Sequence, residues 1–355
     1  MITTPFTYEP DLLGKFRAVR QEIYASLSPA QTPHGIAEEA LLALPQMLEG
    51  RYHHRNFILS DGAQYVGRIT AMLPFESEGQ SAQVGMLGFF DCIDDQASAD
   101  QLLDSGNKWL RNLGARKIVA PMNFSTWFNY RLATRVISHI SFNQEPTNPT
   151  YYEALLLGNG FKPFKSYCSL MIPHTPVELL RHSAASCQRR GLKFKEVTQD
   201  NLPGLLPQIY DFARRTFQDR ETYTYIDYSL FEQLYANIGR LIRSRLSWVA
   251  YSPKQEMVGF VLAYPLELAM DSGNQNSSDD KITIVKTIAT DPSYPYLGWA
   301  LLHHHIEGSI DQGFTHGLYA LMEKWGPLLK YTTDPRRMLG GELGRIIKEY
   351  TLFQK

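Results

Sequence analysis

The sequence is poor in cysteine and has no long apolar run. Its 355 residues include three cysteines, an odd number spread widely along the chain. This argues against a disulfide framework or a cysteine metal cluster and indicates a reducing compartment. No apolar run approaches the ~18 residues that span a bilayer, and the amino-terminal stretch lacks the basic start and apolar core of a signal peptide. We therefore expect a cytoplasmic protein without a membrane partner.

An excess of charge of one sign is also missing. The formal net charge is −1, so no long-range field draws the molecule to nucleic acid, and none is expected as a partner. The sequence has neither a Walker A motif nor the G-x-S-x-G turn of serine hydrolases. Histidines at 303–305 are adjacent, but neighbouring helical side chains point about 100° apart and cannot converge on one ion. No metal is predicted, and the oligomeric state stays open.

The chain does have enough apolar residues for two cores. Apolar residues make up 44% and charged residues 20% of the 355 positions, which excludes a disordered chain and exceeds one typical domain. Helical and strand periodicities alternate along both halves. This pattern predicts an α/β fold, of the α+β kind, in which helices pack on a mixed parallel and antiparallel sheet.

The two halves resemble each other, which indicates an internal duplication. The strand pattern YVGRITAM around Gly67 recurs as MVGFVLAY around Gly259. Two helix-ending glycines, Gly114 and Gly313, and two closing strand patterns, KSYCSLM and KEYTLFQ, recur at similar offsets of roughly 190 residues. We predict domains at 1–172 and 191–355, joined by a polar linker at 173–190.

The most informative stretch is KITIVKTIATDPSYPYLGWALL at residues 281–302. Its start is rich in β-branched residues, which predicts a strand. Asp291 and Pro292 end that strand, and a helix is predicted from Gly298. A strand, a tight turn and a helix leave free backbone N–H groups at the helix start, where the helix dipole also favours a phosphate. The alternative is an ordinary strand–turn–helix corner.

This stretch resembles the acyl-CoA-binding signature of the GNAT (GCN5-related N-acetyltransferase) superfamily, a strand ending in a V-D-P-x-Y-like run followed by Q/R-x-x-G-x-G/A. The matching residues are Asp291, Pro292, Tyr294, Gly298 and Ala300. Pro295 stands where the signature has Gln or Arg. The resemblance implies two tandem GNAT-like domains, acetyl-CoA as cosubstrate and an oxyanion-binding amide within residues 288–290. The implied cofactor-binding residues are Ile288, Ala289, Thr290, Tyr296, Leu297, Gly298, Trp299, Ala300 and Lys330.

The corresponding place in the first half lacks these features. It reads FDCIDDQASADQLL, without a Gly-x-Gly. Asp94 and Asp95 lie at the predicted helix start, where carboxylates suit the helix dipole as caps but repel a pyrophosphate. We expect the first half to lack its own CoA site. Each chain should therefore have one CoA site, in the second half.

Acyl transfer from a thioester to an amine needs a base for the amine and often an acid for the thiolate. Glu323 ends the strand pattern after the motif helix. It is the predicted acid/base, because its strand should lie beside the motif strand where the two separate to admit the pantetheine arm. Tyr331 lies near the place of the acidic tyrosine in the GNAT pattern. The alternatives are an exposed strand-end carboxylate and a packed tyrosine, and Lys-Trp-Gly-Pro at 324–327 replaces the asparagine that the pattern usually has.

Two aromatic segments are predicted to line an acceptor pocket. One follows a first-half strand, and the other lies between the first two helices of the second half, where GNAT enzymes cap the acceptor side. Amides and aromatics at a strand end suit a small-molecule pocket, so we expect a small amine or amino-acid-like acceptor between the domains. The predicted substrate residues are Asn123, Phe124, Trp127, Tyr130, Tyr223 and Tyr225. The alternatives are core or interface packing for the first segment and a mobile aromatic loop for the second.

The function predicted from these features is acetyl-CoA-dependent N-acetyl transfer. Stretches such as GFFDCIDD and EPTNPTYYEALLLGNGF also resemble a little-characterised bacterial family of tandem GNAT-like proteins. Two alternatives stay open. One is a non-catalytic acyl-CoA or small-molecule binding protein of GNAT fold, favoured by Pro295 and by the Trp-Gly at 325–326. The other is a Fem-type aminoacyl transferase, which also pairs GNAT-like domains, although the sequence shows no basic face or coiled-coil arm.

Overall fold

A computed structural model describes residues 1–25, 42, 50–75, 83–138, 140–142, 145–220, 222–266, 281–324 and 344–355. The chain divides into two compact units. The first unit contains Met1–Ser166, Asp219–Tyr225 and Glu349–Lys355, and the second contains Tyr167–Gln218 and Ile226–Lys348.

The first unit is a mixed sheet with helices. Its elements are β1 (Ile2–Phe6), α1 (Pro10–Ala25), β2 (Tyr52–Asp61), β3 (Gln64–Pro74), β4 (Val84–Cys92), α2 (Gln96–Asn112), β5 (Lys117–Ala120), β6 (Leu132–Val136), α3 (Tyr152–Gly158), the start of β7 (Lys162–Pro173) and the end of β13 (Arg345–Gln354). The strand order is β1-β2-β3-β4-β5-β13, and only β4 and β5 of this series run parallel. The core lies under α2, where Leu102, Leu103 and Leu110 are fully buried.

The second unit has the same plan. Its elements are the rest of β7, α4 (Glu178–Arg189), β8 (Lys193–Val197), α5 (Leu202–Phe217), α6 (Tyr228–Gly239), β9 (Ser247–Tyr251), β10 (Met257–Pro265), β11 (Ile282–Thr290), α7 (Leu297–Asp311), β12 (His316–Glu323) and the start of β13. The strand order is β7-β12-β11-β10-β9-β8, with β11 and β12 the one parallel pair of the series. Leu297, Ala300 and Leu301 of α7 are buried in its core.

The predicted fold class and the predicted strand–turn–helix stretch are confirmed. The unit boundaries differ from the predicted 172 and 191 because the last seven residues belong to the first unit, while the second unit already begins at Tyr167. Most of the predicted linker forms α4, whose Cys187 is buried with Leu297 of α7 in one core. Strand β1 was not predicted: it has five residues, one of them Pro5.

Candidate active site

The parallel strands β11 and β12 separate towards their carboxyl ends. They pair from Ile282 and His316 as far as Val285 and Tyr319. Beyond this point β11 continues to Thr290 and β12 continues to Glu323. We call the region between the unpaired ends of the two strands, residues 286–290 and 320–323, the β11–β12 slot, and it lies at the place where the sequence predicted that they separate.

The backbone of β11 directs amides into this slot. The N–H of Asp291 donates to the Val258 carbonyl of β10 at 2.8 Å. N–H groups alternate between the two edges of a strand, so the N–H groups of Ile288 and Thr290 point to the opposite edge, towards the slot. The predicted oxyanion-binding amide belongs to this stretch, residues 288–290, and its role stays a prediction.

The turn after β11 leads directly into α7. The Ser293 N–H donates to Asp291 Oδ1 at 2.8 Å, and Tyr296, the residue before the helix, has a left-handed backbone with φ 69°. No side chain caps the start of α7. A Cβ on Gly298 would lie 3.9 Å from Thr290 Cγ2, so the helix start adjoins the end of β11. This arrangement of backbone amides and helix dipole suits a phosphate group.

The first unit repeats the separation of the strands, but there the gap is filled. Strands β4 and β5 pair in parallel only as far as Met86 and Val119. The chain after β5 then enters the gap, where Asn123 Oδ1 accepts the Phe89 N–H at 2.8 Å. A Cβ on Gly88 would lie 2.6 Å from Asn123 Oδ1. The predicted substrate residue Asn123 therefore binds the Phe89 N–H of β4. Strand β4 of the first unit corresponds to β11 of the second unit.

The helix start in the first unit is capped by its own carboxylate. Asp95 precedes α2 and accepts hydrogen bonds from the Ser98 N–H at 2.8 Å and the Ser98 hydroxyl at 2.6 Å. These hydrogen bonds lower the pKa of Asp95. The predicted capping role of this residue is confirmed, and it contrasts with the start of α7, which makes no side-chain cap hydrogen bond.

Replacing Gly88 with alanine should destabilise the first unit, because the added methyl group overlaps the Met122 carbonyl and Asn123. Overpacking of this kind costs about 1–3 kcal/mol. Urea unfolding measures the loss. Gly14→Ala is the matched control, since a Cβ there, in α1, has no neighbour within 4 Å. Equal stability of the two variants would contradict the tight packing of residues 122–123 against β4.

The two predicted acceptor segments come together in the first unit. The rings of Trp127 and Tyr223 meet edge to face, with centroids 6.2 Å apart. The Thr224 hydroxyl donates to the Phe124 carbonyl at 3.1 Å, and the Ser125 hydroxyl donates to the Thr224 carbonyl at 3.3 Å. Both segments are thus held by specific contacts.

The predicted acceptor residues differ in how much surface they offer. Phe124 is buried against the rings of Tyr52 and Phe89, and Tyr223 is also buried. Tyr130 carries the Arg131 guanidinium 3.8 Å above its ring. Asn123, Trp127 and Tyr130 are half-buried and Tyr225 is 38% exposed, so these four side chains offer surface and the other two do not.

Glu323 lies at the exposed end of β12, paired in register with Tyr167 of β7. A left-handed residue, Leu321 with φ 58°, breaks the regular pairing just before it. The predicted residues Lys330 and Tyr331 lie outside the described residues, as do residues 325–327.

Sequence reasoning missed a hydroxyl pair beside the slot. The Tyr235 side chain on α6 hydrogen-bonds to Thr287 of β11, and burial raises the pKa of Tyr235 to about 12. Tyr235 also stacks on Phe231 with ring centroids 4.1 Å apart. The spacing of four residues between these aromatics was the available sequence signal.

Comparisons with known proteins identify the fold. No family model and no curated protein sequence matches the chain. Among solved structures, a tandem GNAT protein from the clavulanic acid biosynthesis pathway is 12% identical, with a TM-score of 0.54 over 100% of this chain and 98% of that one. A GCN5-related N-acetyltransferase from Anabaena variabilis is 11% identical, with a TM-score of 0.58 over 100% of this chain and 72% of that one.

A third similar structure is the GCN5-related glucosamine N-acetyltransferase region of a fungal multi-domain GH3 β-N-acetylglucosaminidase, 12% identical with a TM-score of 0.56 over 100% of this chain. The present chain spans 38% of that protein's length. The chain therefore has the tandem GNAT fold, and the predicted resemblance is confirmed at the level of the fold.

No group of three or more His, Cys, Asp or Glu side chains among the described residues is placed to hold a metal ion. None of the helices in the same part of the chain is both long and apolar enough to cross a membrane.

Proposed function

We propose that the chain is an acyl-CoA-dependent N-acetyltransferase that binds acetyl-CoA in the β11–β12 slot of the second unit. The observation that carries the proposal is the end of parallel pairing after Val285 and Tyr319, together with the start of α7 after the end of β11, which makes no side-chain cap hydrogen bond. In the first unit, Asn123 fills the gap and Asp95 caps the helix.

Each part of the site has a role in this reaction. The start of α7 holds the pyrophosphate, because its amides and dipole favour an anion. The N–H groups of Ile288 and Thr290 face the thioester oxygen and stabilise the negative charge that develops on it. Glu323 accepts the proton of the attacking amine. The acceptor is a small amine or amino-acid-like molecule.

The site is tested by calorimetric titration with acetyl-CoA and CoA. Gly298→Glu places a carboxylate at the pyrophosphate position and should weaken binding by more than about tenfold, because like charges brought together cost several kcal/mol. Gly298→Ala is the control, since its Cβ makes an ordinary 3.9 Å contact with Thr290. Both variants should melt at the wild-type temperature. Equal binding by all three proteins would exclude this site.

Glu323→Gln should slow acetyl transfer without weakening the binding of acetyl-CoA. Loss of a general base lowers kcat by about 10²-fold or more, while acetyl-CoA affinity should stay within about twofold of wild type, since Glu323 is not assigned a cofactor contact. Release of free CoA thiol is measured against a panel of primary amines. Full turnover in the variant would show that Glu323 is not the general base.

The second candidate is a protein that binds acyl-CoA without catalysis. It is favoured by β11, whose single ionisable residue is Lys286 rather than a carboxylate. Wild-type binding of acetyl-CoA without thiol release across the amine panel would support it.

A further inference from the structure

Arg190 brings a cation to the turn before α7. Its Nη1 donates to the Pro295 carbonyl at 3.2 Å, and its guanidinium lies 6.0 Å from the centre of the Tyr294 ring. The turn itself, DPSYPY at residues 291–296, contains no basic residue. In the first turn of α7, LGWA, there is none either.

The position of Arg190 is fixed by the core of the second unit. Arg190 directly follows α4 as its C-cap, and its backbone N–H donates to the Cys187 carbonyl. Gly191 follows with φ 80° and reverses the chain. Cys187 and Leu192, on either side of this reversal, are buried in the same cluster as Leu297 at the start of α7. The end of α4 and the start of α7 are therefore held together by shared packing, although they lie far apart in the sequence.

The chemistry of a guanidinium suits this place. Arginine has five N–H donors in a planar fork that matches phosphate oxygens. One of the Arg190 donors is used on Pro295. The bond to the backbone of the turn orients the group, and the exposed side chain can direct its other donors outward.

We infer that Arg190, on a helix outside the signature stretch, binds the pyrophosphate of acyl-CoA and provides the positive charge that Pro295 cannot provide. This inference rests on the proposed function. It makes the ligand a pyrophosphate-bearing thioester, which the site distinguishes from a thioester on pantetheine alone.

The test is calorimetric titration of wild type, Arg190→Ala and Arg189→Ala with CoA, 3′-dephospho-CoA and pantetheine. Arg189 is the matched control, because it is the neighbouring exposed arginine on α4. Arg190→Ala should bind CoA and 3′-dephospho-CoA about tenfold more weakly, the usual size of a charge-assisted hydrogen bond. Its affinity for pantetheine and its melting temperature should match wild type, and Arg189→Ala should behave as wild type throughout.

The outcomes separate this inference from the proposed function. If wild type binds CoA, Gly298→Glu does not, and Arg190→Ala binds as wild type does, the role of Arg190 is wrong while the site stands. An equal loss in Arg189→Ala would show general surface charge in place of a specific contact. A loss for CoA but none for 3′-dephospho-CoA would assign Arg190 to the 3′-phosphate and overturn the pyrophosphate assignment. No binding of CoA by wild type would remove the proposed function itself.

Discussion

Replacing Asp91 with asparagine should lower the free energy of unfolding by about 3–5 kcal/mol, the usual cost of breaking a buried ion pair from one side. Asp91 and Arg68 are both fully buried, and Arg68 Nε lies 2.7 Å from Asp91 Oδ2. Arg20 Nη1 donates to the same carboxylate at 3.1 Å, and so does the Tyr152 hydroxyl, also at 3.1 Å. The variant leaves two guanidinium groups facing a neutral amide in the core of the first unit.

The second unit supplies the control for this experiment. Arg68 pairs with Asp91 across β3 and β4, and Phe260 pairs with Ala289 at the matching place in β10 and β11. The double variant Arg68→Phe with Asp91→Ala places the same apolar pair, Phe and Ala, in the first unit. It should lose less stability in urea unfolding than Asp91→Asn, because a buried charge without its counter-charge costs more than apolar packing. A loss below about 1 kcal/mol for Asp91→Asn would contradict the account of this cluster.

Acid should destabilise the second unit through two buried histidines. His305 Nδ1 lies 2.9 Å from the Leu246 carbonyl and must donate to it, which leaves its Nε2 as an acceptor 3.3 Å from the Thr283 hydroxyl. That hydroxyl in turn accepts from His174 Nε2 at 2.9 Å. All of these hydrogen bonds are made with both rings neutral, and burial favours that form. Burial is the main cause that lowers the pKa of His174 to about 3 and the pKa of His305 to about 4, and the nearby His305 and then His316 lower the pKa of His174 further.

The sign of the pH effect follows from these values. The pKa of each histidine in the folded state lies below its ordinary 6.5, so the unfolded chain binds more protons between pH 6.5 and about 4. The stabilisation is complete above pH 6.5 and is lost as the pH falls. At about 1.4 kcal/mol per pH unit for each group, the pair loses about 5 kcal/mol between pH 6.5 and 4.5.

Urea unfolding at a series of pH values measures this loss. His305→Asn keeps a donor for the Leu246 carbonyl and should remove about one proton from the pH dependence. His182→Asn is the control, because its ring is exposed and its neighbour is Glu178 on the surface of α4. If His305→Asn and wild type have the same pH dependence, His305 is not neutral in the folded state.

The sequence was most informative where the structure is local. The β-branched run and the Asp-Pro turn predicted β11 and the break after it, and the acidic pair before α2 predicted its cap, because these features depend on neighbouring residues. The features that decide the site depend on distant residues. Nothing local indicates that Asn123 reaches Phe89, that Arg190 reaches Pro295, or that residues 349–355 close the first unit. Tyr296 is a bulky residue with a left-handed backbone, which propensity alone argues against.

The central claim is that the chain has one acetyl-CoA site, at the β11–β12 slot of the second unit. Native mass spectrometry across a series of acetyl-CoA concentrations tests it most directly. The account predicts at most one acetyl-CoA per chain for wild type and for Gly88→Ala, and for Gly298→Glu the same occupancy only at a concentration more than about ten times higher. Two molecules per chain, or wild-type occupancy in Gly298→Glu, would contradict it.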